Sequence, residues 1–117
     1  MGSEIKRHQS GPILSRAVEH GGTVYLAGLT ADERSVGVKA QTEQIVRRID
    51  ALLAAAGSDK SRLLTANIWL ADIRSKSEMD AAWQAWADKS NLPARACVEA
   101  RLGSPDTLVE IMVTAAK

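Results

Sequence analysis

The sequence has one cysteine, Cys97, no phenylalanine, one tyrosine and three prolines. A lone thiol excludes an intrachain disulfide and a cysteine-rich zinc site. With aromatics at only 3%, a core must come from Ala, Val, Ile and Leu, a composition suited to helices packed closely on a sheet. Charge of one sign is also missing. Fifteen Lys and Arg against 14 Asp and Glu leave a net charge of +1. That balance gives no electrostatic footprint for nucleic acid or an anionic membrane. No run is apolar enough to span a bilayer, and Met1 to Arg7 lacks the apolar stretch of a signal peptide. We expect one cytoplasmic domain over residues 1–117, without a membrane partner. Arg47-Arg48 and Lys60-Ser61-Arg62 are isolated basic clusters without interleaved aromatics, so RNA binding is not expected.

What is present centres on Leu92-Pro93-Ala94-Arg95-Ala96-Cys97-Val98-Glu99-Ala100-Arg101. Pro93 cannot continue a helix and biases Leu92 towards extended geometry. Beyond it the side chains alternate. Ala94, Ala96, Val98 and Ala100 form a small apolar face, expected to lie under helices. Arg95, Cys97, Glu99 and Arg101 form the other, which is either a rim or the floor of a site.

Along the chain, residues 1–12 read as a polar lead-in ending in the turn signal Ser10-Gly11-Pro12. Ile13 to Glu19 and Thr23 to Leu29 read as strands joined at Gly21-Gly22, a pair able to take the positive φ of a tight hairpin. Gly28 predicts a bulge or a close approach. After a polar loop from Ala31 to Gly37, a helix is expected over Val38 to Ala56. Its stripe is Val38, Ile45, Val46, Ile49, Leu52, Leu53 and Ala56, with Gln41, Glu43, Gln44, Arg47, Arg48 and Asp50 on the rest. Gly57 is a natural stop. Leu63 to Ala71 reads as a strand with Ala66, Ile68 and Leu70 opposite Thr65, Asn67 and Trp69. Ser75-Lys76-Ser77-Glu78 fits a capping box for a second helix reaching about Ser90. Gly103 to Asp106 is a turn, and Thr107 to Ala115 closes the sheet.

The expected fold is α+β, in the order β-β-α-β-α-β-β: a mixed sheet with both helices on one face, as two crossovers of the usual hand require. The other face should carry Trp69, Cys97, Leu108 and Met112, with Arg95 and Glu110 among them. Such a face is too apolar for solvent and too polar for a core. Burial against copies of itself, in a homo-oligomer with clefts between subunits, resolves the conflict.

Pro93-Ala94-Arg95-x-Cys97-Val98-Glu99 resembles the signature of the Rid family, the reactive-intermediate deaminases, also called the YjgF family. Met79-Asp80-x-x-Trp83-x-x-Trp86 is similar to the family's second-helix pattern, Met-Asn-x-x-Tyr-x-x-Phe. Ala55-Ala56-Gly57, Val109-Glu110-Ile111 and Gly11-Pro12 resemble its helix-to-strand junction, closing strand and early Gly-Pro. The resemblance implies a chorismate-mutase-like fold and a homotrimer with three inter-subunit clefts. It implies hydrolysis of reactive enamines and imines to 2-oxo acids and ammonia. No metal or organic cofactor is called for, because an iminium is already electrophilic. By position it implies Arg95 as the anchor of the imino-acid carboxylate and Glu110 as the group positioning a water. Cys97, Gly28, Ala27, Ile13 and Asp80 fall at pocket positions. An arginine fork grips a carboxylate through two parallel hydrogen bonds, and a glutamate can place a water in line.

Three positions depart from the family pattern: Ile13 replaces a tyrosine, Ala27 a serine and Asp80 an asparagine. Two lost hydroxyls predict a drier pocket suited to apolar substrates. A non-catalytic module binding small carboxylates through the same clefts is the alternative. An RNA-cleaving or translation-modulating role, attached to some relatives, is the third reading, and the charge balance argues against it. Each residue also has a plainer role. Arg95 could pair with Glu99, Glu110 or Asp80. Cys97 could be a small buried hydrophobe. Glu110 could bridge to Arg95, and Gly28 could mark a bulge alone. Trp83 and Trp86 are expected to pack, and Trp69 to sit at an interface. His8 and His20 have no partner at metal or triad spacing.

Overall fold

The computed structural model describes residues 4–117. Met1 to Ser3, part of the start read as lacking a signal segment, lie outside the described residues. The strands are β1 (Lys6–Ser10), β2 (Ser15–His20), β3 (Thr23–Leu26), β4 (Leu63–Leu70), β5 (Ala94–Glu99) and β6 (Val109–Ala116). The helices are α1 (Val38–Ala55) and α2 (Lys76–Trp86). The sheet order is β1-β2-β3-β6-β4-β5, antiparallel except for the β4–β5 pair. Both helices pack on one face and share its core, as expected for an α+β fold. No helix is long and apolar enough to cross a membrane, among the described residues.

Local chemistry explains the boundaries. Gly21 and Gly22, at φ +61° and +81°, turn β2 into β3. Gly57, at φ +79°, ends α1: its N–H donates to Ala54 O (3.1 Å) and the Ser58 N–H to Leu53 O (2.8 Å). Those two bonds satisfy carbonyls the helix would leave open. The expected stripe of α1 is buried throughout and shares a core with Val24, Ile68, Ile111 and Val113 of the sheet. Trp83 and Trp86 of α2 join this core edge to face, 5.3 Å apart, and the Trp86 indole N–H donates to Asp50 (3.0 Å).

The structure departs from the sequence-based expectations at five points. The polar lead-in contains a strand, β1, making the order β-β-β-α-β-α-β-β. It is an edge strand of polar residues, so no apolar alternation marks it. The Ser75 hydroxyl does not cap α2; it donates to Asp72 O (2.7 Å). The second helix ends at Trp86, where Asp88 captures the Ser90 N–H (3.0 Å) and Lys60 donates to Trp86 O (2.6 Å). Gln41 is fully buried. Its amide donates to Val36 O and Asp106 O (both 3.0 Å) and accepts from the Leu108 N–H (3.1 Å), tying two loops together.

The fifth departure concerns β5. Its register aligns Arg95 with Ala66 and Cys97 with Ile68. Parallel partners point to the same side, so Arg95 and Cys97 belong to the helix-covered face. Ala94, Ala96 and Val98 lie on the open face, where Val98 is 50% exposed. Cys97 and Leu108, both expected on the open face, pack instead against the core. Trp69, Glu110 and Met112 are on the open face, as expected. Alternation separates the two side-chain sets of a strand, but only register says which set the helices cover.

Candidate active site

The candidate residues fall into two groups, one on each side of the sheet. The first lies where edge strand β5 meets α2. Helical spacing sets Lys76, Asp80 and Trp83 near one another on α2. The Arg95 guanidinium lies over the Trp83 ring, 5.6 Å from its centroid. Its Nη2 is 2.8 Å from Asp80 Oδ1, with both side chains about a quarter exposed (23% and 22%). The pairing is one of charge, because Oδ1 is buried and receives no well-aimed N–H. Arg95 Nη1 makes a long contact with Met79 Sδ (3.9 Å). Asp80 Oδ2 accepts from Lys76 Nζ (2.7 Å). The guanidinium is thus held between Trp83, Asp80 and Met79, and its one side-chain hydrogen bond among the described residues is the long contact to sulfur. Trp83, Ala87, Leu92 and Pro93, with the polar Gln84 and Lys89, wall a recess of about 270 Å³ that opens onto Arg95 and Asp80.

Electrostatics follow from this packing. Burial pushes the Asp80 carboxyl up, but Lys76 and Arg95 together outweigh it and hold the group below the usual aspartate value. Burial pushes the Cys97 thiol up, and the nearby Arg95 charge only partly opposes it. The thiol stays protonated at neutral pH, so Cys97 is not a poised nucleophile.

The second group surrounds a bulge. Tyr25 pairs with Thr114, yet Leu29 pairs with Ile111. Leu26, Ala27 and Gly28 therefore face only Met112 and Val113. Ala27 N–H donates to Arg16 O and Leu29 N–H to Ile111 O (both 2.9 Å). The Gly28 N–H between them has no backbone acceptor among the described residues. The Glu110 carboxylate rests against Gly28. A Cβ at Gly28 would overlap Glu110 Oε2 and lie 3.2 Å from its carboxyl carbon. The glycine is needed for close approach, which deepens the bulge reading. Antiparallel pairing of β2 with β3 brings Ile13, 91% exposed, to the same end of the sheet.

The two groups do not meet within one chain. Glu110 pairs with Trp69 on the open face, whereas Arg95 aligns with Ala66 on the helix face. Strand β4 separates β5 from β6. The expected alternative of an Arg95–Glu110 bridge across adjacent strands is excluded by both facts, while the Arg95–Asp80 alternative is present. A larger depression, about 750 Å³ along Glu99 to Thr107, takes in Glu99 and Arg101 but none of the residues that the family resemblance assigns to the pocket. Size alone does not choose the site; chemistry does.

Two features escape the sequence reading. Lys76 enters it only as part of the capping box, although its i,i+4 spacing to Asp80 is a usable signal. His8, which has no role there, hydrogen-bonds to Glu19. The same carboxylate also pairs with Lys117 at the far end of the chain (2.7 Å), and no local spacing announces either contact.

Comparison with known proteins agrees with this architecture. The family model described as Endoribonuclease L-PSP matches residues 6–117. A RutC family protein of Haemophilus ducreyi is 40% identical over 102 residues, covering 87% of each chain. A YjgF-family protein of Neisseria meningitidis has a structure that superposes with a TM-score of 0.97 at 38% identity, covering 100% of this chain and 98% of that one. A Yersinia pestis protein of the conserved Rid family superposes at 0.86 and 26% identity, covering 92% and 90%. The fold, the spacing of the motifs and these likenesses together place the chain in the Rid family, also known as the YjgF or RutC family.

Proposed function

We propose that this protein hydrolyses reactive imines and enamines of small imino acids to 2-oxo acids and ammonia, in clefts between copies of the chain in a homotrimer. The observation that carries the reading is the Arg95 guanidinium, seated on the Trp83 indole and lining a largely apolar recess. A carboxylate docking there makes two parallel charge-assisted bonds and fixes the adjacent C=N carbon. Glu110 positions the water. An enamine first takes a solvent proton at its β-carbon to become the iminium. Glu110 accepts a proton as the water oxygen bonds to the iminium carbon, and the C=N electron pair moves to nitrogen to give a neutral carbinolamine. Glu110 returns that proton to the amine nitrogen; the C–N bond then breaks as the hydroxyl becomes the 2-oxo group, and the hydroxyl proton leaves with the ammonia as ammonium. The location of Arg95 and Glu110 on opposite sides of one sheet supports a cleft shared between subunits. The half-exposed apolar residues of the open face, Tyr25, Val98 and Met112, support its burial against another copy.

The test is hydrolysis of imines released by an amino-acid oxidase, with semicarbazide as a competing trap. Wild type should divert the imine from semicarbazide, and Arg95→Ala should not, with the oligomer unchanged. Equal diversion by both proteins would sink the proposal. Ile13 and Ala27, which supply no hydroxyl on the Glu110 side, favour a second reading, a module that binds carboxylates without turning imines over. Saturable binding of a 2-oxo acid with no effect on trapping would establish it. The family description names an endoribonuclease; the recess beside Arg95 has the dimensions of a small acid, not of an RNA strand.

A further inference from the structure

The Asp80 carboxylate poses a problem for a site that must bind an anion. It lies against the guanidinium expected to receive the substrate. A carboxylate free to rotate beside an arginine settles into the two-bond fork arrangement, which would fill the donors a substrate needs. Here it does not. Asp80 places one oxygen 2.8 Å from Arg95 Nη2 and the other 2.7 Å from Lys76 Nζ. The carboxylate is divided between two cations from different elements, and its oxygen towards Arg95 receives no well-aimed N–H.

We propose that Lys76 is a positioning residue that keeps the Arg95 fork open to a substrate carboxylate. It does so by holding Asp80 away from a two-bond pairing. Lys76 also adds a positive charge: with Lys89, which lines the same recess, it offsets Asp80 and leaves the site cationic. The inference rests on Arg95 being the carboxylate anchor, as proposed above. Lys76 itself, on the first turn of α2 and half exposed, need not touch the substrate.

The experiment is calorimetric titration of 2-oxobutyrate into wild type, Lys76→Met, Asp80→Asn and the double variant. Thermal unfolding of each serves as the folding control. Lys76→Met should weaken binding about tenfold, the value of one charge-assisted bond. Lys76→Arg should retain the wild-type affinity. Asp80→Asn should bind at least as well as wild type, and Lys76→Met should then cost nothing further in the Asp80→Asn background. That rescue separates positioning through Asp80 from a fold defect. Unchanged affinity in Lys76→Met would overturn the inference, as would an equal loss with and without Asp80. Absence of binding to wild type would instead overturn the anchor role of Arg95, and the Lys76 inference with it.

Discussion

Replacing Gly28 with alanine adds a single methyl group. Its carbon would overlap Glu110 Oε2 and crowd the carboxyl carbon at 3.2 Å. Backbone strain is not the issue, because Gly28 is not among the positive-φ glycines. The obstacle is the end of a flexible side chain on the open face, so Glu110 can swing aside. Leaving its rotamer well costs about 0.5–1.5 kcal/mol, an unfolding shift of roughly 4 °C for a domain of this size. The catalytic effect should be far larger. A water-positioning group displaced by about 1 Å loses on the order of 100-fold in rate. Semicarbazide competition gives the rate and calorimetry the midpoint. The expected pattern is a near-native midpoint with turnover down about 100-fold. Full activity in Gly28→Ala would refute the place given to Glu110. A collapse in stability would show that Gly28 serves the sheet alone.

Three further outcomes follow from the same geometry. Cys97→Ala should keep most of the turnover, since the thiol is held protonated by burial; loss of activity in a folded variant would return Cys97 to the chemistry. Glu19, buried with its carboxyl lowered by hydrogen bonds from Lys117 and then His8, contributes stability above its ordinary value of 4.5. That contribution disappears as pH falls through the lowered folded-state value. Glu19→Gln should therefore destabilise at neutral pH and converge on wild type in acid, and a gap unchanged by pH in denaturation curves would contradict this. Leu53→Ala, fully buried in α1, should lose about 2–5 kcal/mol in urea unfolding; a loss below about 1 kcal/mol would contradict the close helix–sheet packing.

Much of the fold was legible because period and punctuation agree. The stripe of α1, the Gly57 stop and the Gly21-Gly22 turn are local signals, and each is realised. The misassigned features depend on partners distant in sequence. Strand β1 is recognisable only through its ladder to β2. Gln41 looks like a surface residue until two loops converge on its amide. The sidedness of Arg95 and Cys97 follows from the alignment of β5 with β4, which no alternation within residues 92–101 encodes. The motif named the candidate residues, but only register shows that Arg95 and Glu110 belong to opposite sides of the sheet.

The most direct measurement is subunit complementation. Arg95→Ala and Glu110→Gln chains, each expected to be inactive alone, would be unfolded together, refolded and assayed for imine hydrolysis. If each cleft takes Arg95 from one copy and Glu110 from another, random assortment should restore about a quarter of wild-type activity. Mixtures no more active than the separate variants would contradict a site shared between copies.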